Sequence, residues 1–83
     1  MIDRQIIRRL LQVLELVDTT LGIREDILLD QIAAESTRHV EADQIVAHLK
    51  ECERKLWVAN IKDDLGGNRW KISPGGILAL KHI

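Results

Sequence analysis

His48 and Cys52 stand four residues apart in a stretch of helical periodicity, a spacing at which one helix face can offer an imidazole and a thiolate to a metal ion. A zinc site would need both His39 and His82 to converge on that pair. Cys52 falls on the apolar stripe of its helix, so the pair reads as a structural helix face with a buried thiol, and no metal or other cofactor is expected. Glu25, Asp26, Asp30 and Glu35 could suggest an acid/base pair or a cation site. Helix-N-terminal charge and a solvated face explain them more simply. The stretch Asp63-Asp64-Leu65-Gly66-Gly67-Asn68 looks loosely like a calcium loop but lacks the closing Glu. Gly66-Gly67 is followed by no Lys-Ser/Thr and is no phosphate loop. Ser73 has no partner base in sequence and reads as a helix cap. No catalytic constellation emerges, and the expectation is a protein that is not an enzyme.

The elements that carry these residues follow from periodicity. Ile6, Ile7, Leu10, Leu11, Leu14 and Val17 form one stripe and predict a first helix over about 3–17, with Val13 and Leu16 widening its apolar face. Gly22 supplies a left-handed stop, and Ile23-Arg24 reads as a short extended link. Leu28, Leu29, Ile32 and Ala33 form the buried face of a second helix, about 26–35. Ile45, Leu49, Cys52 and Leu56 line a third, about 41–55.

The period then shifts from 3.6 to 2. Trp57, Ala59 and Ile61 alternate with Val58, Asn60 and Lys62, and Trp70 and Ile72 alternate with Arg69, Lys71 and Ser73. Joined by Gly66-Gly67, these runs predict a β-hairpin over about 57–73, with both Trp on its core side. Ser73-Pro74 opens a short closing helix, about 74–81, which Gly75 and Gly76 weaken.

At 83 residues, 46% hydrophobic and 30% charged, the chain fits one globular domain, 1–83, with a core built from Ile, Leu, Val and Ala. A single cysteine excludes an internal disulfide and suits a reducing compartment. The opening Met1-Ile2-Asp3-Arg4-Gln5 turns amphipathic at once rather than giving a leader. No run approaches the roughly 20 apolar residues of a membrane span, so a cytoplasmic location is expected. The net charge is −1, but it is polarised: residues 18–36 hold five acids and one Arg, and residues 61–83 hold four bases and two acids.

Three helices, a hairpin and a closing helix define a mainly α fold with a small β-hairpin. The run Gln44-Ile45-Val46-Ala47-His48-Leu49-Lys50-Glu51-Cys52-Glu53 resembles the recognition helix of ArsR-like repressors, and Arg69-Trp70-Lys71-Ile72-Ser73-Pro74-Gly75-Gly76 is similar to the exit strand of their wing. The likeness to the winged helix-turn-helix superfamily covers nearly the whole chain. A fainter one, through Met1-Ile2-Asp3-Arg4 and Leu28-Leu29-Asp30, is to small winged-helix proteins of Mu-like prophages.

The resemblance implies double-stranded DNA as partner, with the third helix in the major groove and the wing on phosphates. Carried over by position, the contacts would be Arg38 and His39 before the helix, Gln44, Ala47 and His48 on it, and Lys62, Arg69 and Lys71 on the wing. Burying Trp70 and Ile72 must expose Arg69 and Lys71. Glu41 and Asp43 depart from the pattern by placing acids on the first turn of the reading helix. Leu56 departs from it by replacing the glycine that usually follows that helix. Two functions are therefore expected to compete. One is a transcriptional regulator or phage-type accessory DNA-binding protein, dimeric through the first helix and the C-terminal segment. The other is a protein–protein interaction module of the same fold.

Overall fold

A computed structural model describes residues 3–17, 21–36 and 39–82. The elements run α1 (Arg4–Glu15), β1 (Ile23–Arg24), α2 (Glu25–Glu35), α3 (Ala42–Arg54), β2 (Val58–Lys62), β3 (Asn68–Ile72) and α4 (Pro74–Leu80). The chain is mainly α, with one small antiparallel sheet in the order β1-β3-β2.

α1 starts at Asp3, whose carboxylate accepts the Gln5 N–H at 2.9 Å and so satisfies one of the helix's free donors. It ends two residues before the predicted boundary. There Leu16 and Val17 tighten the chain with bonds back to the Val13 and Leu14 carbonyls. Ile6, Ile7, Leu10, Leu11, Val13 and Leu14 are all buried. Val13 is thus covered within the chain, whereas Leu16 stays 88% exposed, which halves the surplus apolar face that suggested a dimer.

Ile23 and Arg24 form a strand rather than a link. Ile23 pairs with Trp70 and Arg24 with Arg69, completing a third strand on the open edge of β3. Gly22 makes this approach feasible: its φ is +72°, and a Cβ there would lie 2.6 Å from the Trp70 carbonyl oxygen. α2 follows directly, with Glu25 and Asp26 in its first turn, where the helix dipole favours negative charge. Its buried face is narrower than expected: Leu28 and Ile32 are buried and Leu29 half-buried, but Ala33 is exposed.

Val40 and Ile45, which flank the α3 start, are both buried in the core, in the positions of a hydrophobic staple. Ile45, Leu49 and Cys52 are fully buried as the stripe requires. Leu56 is not: it lies beyond the helix, 76% exposed, with φ +63°. The Trp57 N–H bonds to the Cys52 carbonyl and the Leu56 N–H to that of Glu53, the double bond of a Schellman ending. A leucine therefore holds the left-handed position that glycine normally fills.

In the hairpin, Val58 faces Ile72, Asn60 faces Trp70 and Lys62 faces Asn68. Trp70, Ile72 and Val58 are buried on the inner side. Trp57 falls outside that set because it has the opposite parity. It is half-buried at the core's edge, with the Lys55 ammonium 4.8 Å from its ring centre.

The Ser73 side chain caps α4 by accepting from the Gly76 N–H, and its hydroxyl donates to the Leu56 carbonyl. Gly76 is a packing requirement rather than a weakness, since a Cβ there would lie 2.1 Å from the Trp57 carbonyl oxygen. The core is filled by Leu10, Leu11, Leu14, Leu28, Ile32, Ile45, Leu49 and Cys52. Each leucine or isoleucine among them contributes about 1.5–3 kcal/mol on burial.

Candidate nucleic-acid interface

The outer face of the sheet follows from strand alternation. With Trp70 and Ile72 turned inward, Arg69 and Lys71 take the opposite face of β3. The register places Arg24 of β1 directly beside Arg69, and on the far side Ile61 lies beside Arg69 and Ala59 beside Lys71. Lys62 separates from this group. It has the parity of Val58 and Asn60, projects beyond the core at the hairpin end, and donates to Asn68 Oδ1 at 3.1 Å.

Carboxylates accompany the two arginines. Arg69 Nε lies 3.6 Å from Asp63 Oδ2, and Arg24 Nη2 lies 3.3 Å from Asp26 Oδ2. Lys71 carries no ion pair among the described residues. Glu25 is drawn inward, where its Oε1 accepts the Trp70 indole N–H at 3.0 Å. Sequence reasoning missed Arg24, because a two-residue strand gives too short an alternation to be recognised.

α3 presents less than the sequence suggested. Gln44 Oε1 accepts the Glu41 backbone N–H at 3.0 Å, so its amide oxygen is committed to the helix start. His39 Nε2 sits 3.0 Å from Glu41 Oε1. His48 is 7% exposed: its Nδ1 lies 2.6 Å from the Gln44 carbonyl oxygen, and its Nε2 accepts the Asp3 N–H at 2.8 Å. Both ring nitrogens are used internally, which takes His48 off the outward face. Ala47 is exposed, and Arg38 lies outside the described residues.

The rest of that face is mixed in charge. Glu41, Asp43 and Glu53 are exposed alongside Lys50 and Arg54. Arg54 pairs with Glu51, and this hydrogen bond holds the Glu51 carboxyl below its usual range.

The His48–Cys52 spacing does not amount to a ligand pair. The imidazole is engaged, and burial pushes the Cys52 thiol up to about 11. Among the described residues no group of three or more His, Cys, Asp or Glu could hold a metal ion. A cleft of about 40 Å³ opens between Asp3, Ile6, Arg9, Ile32, Ser36 and Val40, room for a few waters at most. No described helix is long and apolar enough to cross a membrane.

No family model matches the chain, and no curated protein or solved structure does either.

Proposed function

We propose that this chain is a winged helix-turn-helix domain that binds double-stranded DNA, as a small regulator or accessory DNA-binding protein, with the sheet on phosphates and α3 toward the major groove. The supporting observation is that Arg69 and Lys71 share the outer face of β3 while Trp70 and Ile72 anchor its inner face. The succession of three helices, a hairpin and a closing helix supports the same reading.

Affinity in such a complex comes mainly from phosphate neutralisation and specificity from base edges. With His48 inside and the Gln44 oxygen committed, α3 offers few groups for base readout. Binding is therefore weakly sequence-selective and strongly salt-dependent.

Fluorescence anisotropy of a labelled random duplex, titrated at several salt concentrations, tests this reading. Binding should weaken with salt at a slope of several ions and disappear in Arg69→Glu/Lys71→Glu. Absence of binding at low salt overturns it.

The acids on the exposed side of α3, Glu41, Asp43 and Glu53, favour a second reading. In this one α3 is a docking face for a basic protein partner on the same scaffold. A wild-type protein that ignores DNA yet is retained on a basic partner through α3 would select it.

A further inference from the structure

We propose that Arg24 is a DNA-phosphate contact, and that Arg24, Arg69 and Lys71 form one track that leads a DNA strand off the hairpin onto the body of the protein. The inference rests on the DNA-binding reading and extends it to a residue outside the wing.

The geometry is that of β1 against β3. Arg24 and Arg69 are direct cross-strand partners, and Lys71 lies on the same face two residues further along β3. Like charges placed directly opposite on a sheet repel each other. Asp26 and Asp63 offset part of that repulsion, and an anion lying across the pair offsets more of it.

The neighbouring carboxylates leave room for one. Arg24 meets Asp26 through Nη2 alone, in a pair whose side chains are 50% and 66% exposed and hence weak. Arg69 faces Asp63 through Nε at 3.6 Å, beyond normal hydrogen-bond length, in a pair whose side chains are 30% and 13% exposed. Among the described residues its terminal nitrogens hold no closer ion pair. Arginine's planar fork suits phosphate. Glu25, the next acid in the chain, is turned away to the Trp70 indole.

The test uses the full chain, a labelled random duplex and anisotropy across a salt series, comparing wild type with Arg24→Gln, Arg24→Lys and Arg8→Gln. Arg8 is an exposed cation on α1 and controls for bulk charge. Arg24→Gln should lower the salt slope by about one ion, the amount expected for one phosphate contact. It should also weaken binding at low salt several-fold. Arg24→Lys should keep the slope, and Arg8→Gln should match wild type.

An unchanged slope in Arg24→Gln, with wild type still binding, overturns the Arg24 assignment and leaves the wing reading intact. An equal loss in Arg8→Gln does the same, by showing that only net charge matters. A wild type that does not bind overturns both.

Discussion

The Trp70 indole N–H donates to Glu25 Oε1 at 3.0 Å, joining the buried strand of the hairpin to the first turn of α2 across 45 residues of sequence. Trp70 is only 3% exposed, so its donor has little recourse to water. Glu25→Ala should leave it unsatisfied and cost about 1–3 kcal/mol. Glu25→Gln keeps a carbonyl acceptor and should cost less. Urea unfolding followed by Trp fluorescence measures both, and equal stability of Glu25→Ala and wild type would show the bond to be dispensable.

Leu56 offers the opposite opportunity. Its side chain is largely exposed, so little packing is lost on removing it, while its φ of +63° strains any residue with a Cβ. Left-handed backbone costs an L-residue about 1–2 kcal/mol, part of which glycine's greater freedom in the unfolded chain offsets. Leu56→Gly should therefore stabilise the domain by about 0.5–1 kcal/mol, read as a higher urea midpoint with unchanged slope. A lower midpoint would mean that the leucine side chain contributes packing that its exposure hides.

Gly76 shows how a helix-weakening residue can be indispensable. Its missing Cβ lets α4 dock with the Trp57 carbonyl oxygen 2.1 Å from where that carbon would be, and Ile72 also lies close. Backbone cannot yield as a flexible side chain can, so Gly76→Ala should cost at least about 2–3 kcal/mol despite alanine's better helix propensity. Thermal melting by circular dichroism reads this directly. A variant as stable as wild type would mean that α4 shifts freely on the sheet.

These three cases lie beyond what the sequence made legible. Period-3.6 stripes located all three main helices to within two residues of their observed ends, because tertiary burial and local periodicity agree there. Ser73-Pro74 fixed the start of α4 through local capping chemistry. The relationships that shape the candidate site are of another kind. β1 has two residues and exists only because β3 offers it an edge. Trp57 is assigned to its side by register, which the alternation within one strand cannot specify. His48 looked like a surface reader by helical position, but the Asp3 N–H reaches it from 45 residues away.

That contact makes a prediction of its own. Nδ1 of His48 pairs with the Gln44 carbonyl and Nε2 accepts from Asp3, so the ring fastens the start of α1 to α3. His48→Ala loses both bonds and some packing and should cost about 2–3 kcal/mol. In protein that remains folded, its effect on the proposed DNA binding should be small, because the ring does not face outward. Denaturation and anisotropy on the same samples separate the two. A stable variant with several-fold weaker DNA binding would return His48 to the interface.

Cys52 links burial to alkaline stability. It is fully buried, and desolvation raises its thiol from an ordinary value near 9 to about 11. Below pH 9 the thiol is protonated in both folded and unfolded chains, and its contribution is fully present. Between pH 9 and about 11 the unfolded chain gives up the proton while the folded one holds it, so ionisation favours unfolding. Each unit of that window removes up to about 1.4 kcal/mol, roughly 2–3 kcal/mol in all. All other groups are common to wild type and Cys52→Ala, so the difference between the two proteins isolates the thiol. Wild type should exceed the alanine variant at pH 8 by a margin that shrinks as pH rises to 11. Parallel stability curves for the two, followed by urea unfolding, would mean that the thiol ionises as readily inside the fold as outside it.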